Sequence, residues 1–133
     1  MRIVLLLFAL LMTSCAIGPR LSSFRPARFP QGAWIRIHTP AKEKFTVELV
    51  EVRSNGMVVE SNSKLCLVRY TDITKARVVD LDSTYGLSGG KEPGAIVSGN
   101  LKLVSRFPQG MSPDVLQQLL VLYGQTELRE GIK

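Results

Sequence analysis

KFTVELVEVRSNGMVVE, Lys44 to Glu60, is the stretch that decides the fold. Lys44-Phe45-Thr46-Val47-Glu48-Leu49 alternates polar with apolar residues, the two-residue period of a half-buried strand. At Leu49-Val50 the phase slips by one, so that Val50 and Val52 take the apolar role and Glu51 and Arg53 turn outward. A slip of this kind predicts a β-bulge or a sharp bend. Ser54-Asn55-Gly56 comes next, and Asn-Gly between two strand patterns is a strong hairpin signal, because both residues tolerate positive φ. Met57-Val58-Val59-Glu60 is the returning strand.

Strand patterns continue on both sides of this hairpin. Upstream, Ala33 to His38 alternates, with Ile35 and Ile37 on one face and Trp34, Arg36 and His38 on the other. Thr39-Pro40 breaks it. Downstream, Ser61-Asn62-Ser63 turns the chain and Lys64 to Tyr70 runs out again. Thr71 to Thr74 reads as one helical turn, since Asp and Thr cap such turns, and Lys75 to Asp80 closes the set. The segment LVRYTDITKARVVD, Leu67 to Asp80, resembles the end of SH3-like and Sm-like barrels. There a strand, a polar turn with a buried Ile and a final strand follow in sequence. The likeness runs from Gly32 to Asp80. It implies a mainly β fold, a small five- to six-stranded SH3-like or Sm-like barrel with one C-terminal α-helix, and it carries no function.

Asp82 to Asn100 holds five glycines and reads as a long flexible loop or hairpin tip. Leu101 to Ser105 is a further strand candidate. Met111-Ser112-Pro113-Asp114 is a helix start: Ser112 caps, Pro113 fits the first helical position, and Asp114 complements the positive end of the dipole. Val115, Leu116, Leu119, Leu120 and Tyr123 form one apolar stripe, Gln117 and Gln118 face out, and Gly124 stops the helix. The expected organisation is a signal peptide over 1–14, a tether over 15–31, a β-barrel domain over 32–105 with its Gly-rich loop at 82–100, and a loop plus packed helix over 106–133.

The amino terminus supplies an address. Arg2 precedes an unbroken apolar run, Ile3 to Met12, of ten residues. That is half of the roughly 20 residues a membrane-crossing helix needs, and it has the length of a secretory h-region. Met12-Thr13-Ser14-Cys15 resembles the lipobox of bacterial lipoproteins, with Met12 in place of the more usual Leu. The resemblance implies a diacylglyceryl thioether on Cys15, cleavage before it and acylation of its new amine. Ala16, where Asp would signal retention in the inner membrane, implies the outer membrane facing the periplasm. Two or three acyl chains, at about 0.8 kcal/mol per buried methylene, anchor a protein durably.

Removing the first 14 residues, which carry Arg2 as their one charge, leaves 119 residues with 16 Lys and Arg against 11 acids, a formal charge of +5. The charges are dispersed. They suit solubility and weak attraction to anionic lipid, lipopolysaccharide or peptidoglycan. With Cys15 acylated, Cys66 has no partner in the chain, and its apolar setting, Leu65-Cys66-Leu67-Val68, predicts a buried thiol acting as a small hydrophobe.

Arg28-Phe29-Pro30-Gln31-Gly32 returns unchanged as Arg106-Phe107-Pro108-Gln109-Gly110. One copy leads into a strand and the other into a helix, so this is no duplicated structural unit. Proline holds each Phe in extended backbone, the ring plugs the core and the glycine permits a positive φ turn. The functional alternative sets the two loops side by side as a paired Arg-Phe recognition surface.

Chemistry is sparse. His38 is the one histidine, no nucleophile elbow is present, and one His with one spare Cys makes no metal site. GLSGGKE, Gly86 to Glu92, lacks the spacing of a phosphate loop. No cofactor and no metal are expected, and export removes the protein from nucleic acid. The expected function is a membrane-anchored, non-enzymatic binding or structural module for an envelope protein, peptidoglycan or lipopolysaccharide. Its candidate partner surface is Trp34, Arg36, Arg28, Phe29, Arg106 and Phe107, with Cys15 as the lipid attachment site. The alternative is an enzyme or accessory subunit acting on cell-wall material, with an acid pair drawn from Asp72, Asp80, Asp82 or Glu92.

Overall fold

A computed structural model describes residues 31–132 of the chain. The lipobox, Cys15 and most of the tether lie outside the described residues. The expected strands form in order: β1 (Trp34–His38), β2 (Lys44–Val52), β3 (Gly56–Ser61), β4 (Lys64–Arg69) and β5 (Lys75–Val78), with a 3-10 turn at Tyr70–Asp72 between the last two. A hairpin joins β2 to β3 as expected, but it turns at Ser54-Asn55 inside the Arg53 N to Gly56 O bond, with Gly56 already in β3 and neither Asn55 nor Gly56 at positive φ. The phase slip read at Leu49-Val50 is a register shift between Leu49 and Glu51 in the β2–β3 ladder. Beyond it Val52 lies on the same face as Leu49. Glu51, expected to face solvent, is buried instead, where it accepts from Met111 N at 3.2 Å and from Arg53 Nε at 2.9 Å.

The expectation of a closed barrel does not hold. Two more strands, β6 (Gly86–Ser88) and β7 (Arg129–Glu130), bring the described residues to seven in one open mixed sheet, ordered β6-β5-β1-β2-β3-β4-β7. Closure would need β5 to meet the far end of the sheet. Both edges are already taken, β5 by antiparallel β6 and β4 by parallel β7. Edges blunted by short added strands resist further pairing.

The second correction concerns residues 95–104. Leu101 to Ser105, expected as a strand after a Gly-rich loop, belongs to a helix, α1 (Ala95–Val104). Val97, Leu101 and Val104 recur at helical spacing and pack on one face of the sheet with Ile35, Ile37, Leu49, Met57 and Val59. The predicted C-terminal helix is α2 (Pro113–Leu122), capped by Ser112 Oγ accepting from Val115 N. Gly124, at φ +66°, ends it. The bonds Gln125 N to Leu120 O and Gly124 N to Val121 O form a Schellman closure. Leu116, Leu119, Leu120 and Tyr123 cover the opposite face of the sheet, on Val50, Val58, Leu65 and Leu67.

The two helices divide the sheet unequally. β3 and β4 are buried on both faces, which is why Met57-Val58-Val59 and Leu65-Cys66-Leu67-Val68 are continuous apolar runs. Cys66 is 1% exposed. β1 and β5 are buried on the α1 side alone and keep strict alternation, with Trp34, Arg36, Lys75 and Arg77 exposed.

Candidate functional site: the open face of β1 and β5

Alternation along β1 puts Trp34, Arg36 and His38 on the face that neither helix covers. Trp34 is 60% exposed and is the sole tryptophan of the chain. In the ladders Arg36 stands directly opposite Arg77 of β5 and Thr46 of β2, and His38 stands opposite Lys75 and Lys44. A hollow of about 710 Å³ lies over the β5 side of this face, lined by Arg36, His38, Lys75 and Arg77 together with Asp80 and Asp82. Arg77 Nε donates to Leu81 O at 3.3 Å, and Asp82 accepts from Thr84 N at 2.9 Å. Asp72 and Glu92 take no part in the hollow. A second groove, of about 490 Å³, separates β5 and β6 from the start of α1.

The second RFPQG copy is turned inward. Arg106 Nε donates to Glu48 Oε1 at 2.8 Å, while its NH2 donates to Glu48 Oε2 at 2.6 Å and to Glu60 Oε2 at 3.4 Å. Its NH1 donates to the Tyr123 hydroxyl at 3.3 Å. The Glu48 hydrogen bonds drive the Arg106 pKa above its ordinary value, so the guanidinium is a permanent cation. Glu60 stands opposite Glu48 in the ladder, and burial, reinforced by the Glu48 carboxylate, raises the pKa of the Glu60 carboxyl. Phe107 packs with Met111 and Leu116 under α2, and Gly110 takes φ +85°.

Of the first copy only Gln31 and Gly32 lie among the described residues, so the positions of Arg28 and Phe29 are outside them. The copies do meet. A Cβ on Gly32 would stand 3.0 Å from Arg106 N and 3.1 Å from Glu48 Oε1. The meeting point is the β2 bulge: Leu49 N donates to Ala33 O, Arg106 N to Leu49 O at 3.0 Å, and Phe107 N to Val50 O at 2.9 Å. The segments flanking β2 thus satisfy backbone groups that the bulge leaves without a ladder partner. The Arg106 side chain itself is held by the Glu48 and Glu60 carboxylates and the Tyr123 hydroxyl.

Sequence reasoning missed the Glu48–Glu60–Arg106 cluster. Its traces were two glutamates, Glu48 in the alternating part of β2 and Glu60 at the end of the apolar run of β3. Among the described residues no three of His, Cys, Asp and Glu gather as metal ligands, and no helix is long and apolar enough to cross a membrane. The other large apolar side chains left exposed there are Ile96, Val121 and Leu122, on the helices. No family model matches the chain, and no curated protein and no solved structure matches it either.

Proposed function

We propose that the chain is a lipid-anchored envelope protein, a non-enzymatic binding module whose working surface is the open face of β1 and β5. The anchor reading stands on Met12-Thr13-Ser14-Cys15 behind a ten-residue apolar run. One observation carries the binding reading: the sheet hides its other large side chains under two helices yet leaves Trp34, beside Arg36, 60% exposed on an uncovered face. Exposed Trp and Arg together are the residues that most often dominate binding energy at protein surfaces. Arg106 and Phe107 serve the fold in this reading, holding the bulge and the underside of α2, and they drop out of the partner surface.

Crosslinking of intact envelopes followed by capture of the protein tests it. The wild type is expected to bring down a defined partner or polymer that a Trp34→Ala, Arg36→Ala double variant loses at unchanged abundance. Identical capture by both would remove the face from the function. A Cys15→Ser change is expected to block maturation and release the protein from membranes. Normal maturation of that variant would remove the anchor.

A further inference from the structure

The open face concentrates like charge in a way that costs stability. Arg36 faces Arg77 directly across the ladder, and His38 is flanked by Lys75 and Lys44. Like charges directly opposite one another on a sheet repel. Ion pairing elsewhere in the sheet draws on other cations, Arg53, Arg69 and Arg106, and among the described residues none of Arg36, Lys44, Lys75 and Arg77 takes part in one. Asp80 and Asp82 line the same hollow as Arg36, Lys75 and Arg77, two carboxylates against three of these four cations, and Asp82 accepts from Thr84 N. The face therefore keeps an excess of positive charge that can attract an anion from outside the described fold. Arginine presents a planar fork of donors that fits a phosphate with two parallel hydrogen bonds. At the Trp34 end of the same strand sits an indole, apolar in its body and polar at its N–H, which is favoured where water meets lipid.

Chain geometry adds the second argument. Gln31, at the start of the described fold, lies three residues before Trp34, and fifteen residues separate it from Cys15. Fully extended, such a segment spans about 50 Å at most. A tether of this length holds the domain beside the bilayer at high effective concentration, and it enters the fold at the strand that bears the cationic face.

We propose that this face docks on the net-anionic, phosphate-bearing headgroups of the membrane that carries the anchor, with Trp34 in the headgroup layer and Arg36, Arg77, Lys75 and Lys44 over lipid phosphates. The assignment deepens the binding-module reading by naming the partner of the same surface, and it rests on that reading.

The sole tryptophan makes the test direct. The native mature protein is mixed with vesicles of pure phosphatidylcholine or with vesicles containing phosphatidylglycerol, and its flotation, Trp34 emission and acrylamide quenching are followed. On phosphatidylglycerol vesicles the emission should move to the blue and quenching should fall several-fold. High salt should reverse both while the anchored protein still floats. An Arg36→Gln, Arg77→Gln variant should show neither change. Equal quenching on both lipids, with flotation on both, overturns the docking and leaves the anchor. Flotation with the anionic vesicles alone keeps the face and refutes the anchor, whereas flotation with neither refutes both. Protection of Trp34 that requires added envelope proteins rather than lipid gives the face to a protein partner and overturns the lipid assignment.

Discussion

Glu48 and Arg106, fifty-eight residues apart in sequence, are joined by two parallel hydrogen bonds of 2.8 and 2.6 Å with side chains only 10% and 19% exposed. A bidentate carboxylate–guanidinium pair at that depth is a fixed joint between β2 and the loop that leads to α2. Replacing Arg106 by Ala strands a buried carboxylate, and breaking a buried pair from one side costs about 3–5 kcal/mol. Adding Glu48→Gln to Arg106→Ala should restore part of that loss, because the uncompensated charge goes with it. Chemical denaturation of the two single variants and the double variant measures the coupling. Additive losses would mean that the pair is not a joint.

Glu60 stands across the ladder from Glu48 and carries a pKa raised above its ordinary 4.5, by burial first and then by the Glu48 carboxylate. The folded state therefore holds the Glu60 proton more tightly than the unfolded chain does. Its favourable contribution is complete below pH 4.5 and is lost as pH rises through the folded-state value. Relative to the wild type, Glu60→Gln should gain stability as pH rises from 4.5 through the folded-state value and then level off. Thermal unfolding of both proteins across that range checks the slope, and a difference that shrinks with rising pH would contradict it.

The repeated pentapeptide offers a within-chain comparison. Gly32 and Gly110 both take positive φ, +81° and +85°. A Cβ at Gly32 would collide with the Leu49 carbonyl oxygen, whereas one at Gly110 meets only Glu51 Oε1, at 3.4 Å. Left-handed backbone costs a non-glycine residue roughly 1–2 kcal/mol. Gly110→Ala should lose about that much. Gly32→Ala should lose clearly more, since β2 must move, and comparing the two unfolding midpoints decides the matter. Equal losses would show that backbone strain alone accounts for both glycines.

Local signals made the strands legible. Asn55-Gly56 marked a hairpin, the slip at Leu49-Val50 marked the bulge, and Ser112-Pro113 with Gly124 bracketed α2. The shortfalls arise where local and tertiary preferences part. α1 hid because Gly99 and the β-branched Ile96 and Val97 weaken helix propensity, and its stripe of Val97, Leu101 and Val104 counts only once a sheet lies beneath it. β7 is two residues long and forms because β4 offers an edge. The candidate site divides the same way. Trp34 and Arg36 were placed on one face by period alone, while Arg106 found carboxylates whose position no local pattern encodes.

Gln125 completes the closure of that edge. Its side-chain Oε1 accepts from Leu65 N at 2.8 Å and its Nε2 donates to Leu65 O at 3.0 Å, so one amide imitates a strand residue on β4. Lys64 Nζ donates to Tyr123 O at 2.9 Å beside it, and β7 takes over the pairing at Cys66 and Leu67. The amide thus protects the backbone where α2 ends and β7 has not begun. Gln125→Leu keeps the bulk and removes both bonds. An unsatisfied, partly buried backbone group costs about 1–3 kcal/mol, so the variant should lose stability of that order. It should also expose one position in particular. In hydrogen exchange the Leu65 amide of the variant is expected to exchange much faster than in the wild type, while Val58 and Val59 in the centre of β3 keep their protection. Uniform acceleration across the sheet would mean that Gln125 supports global stability and not the edge.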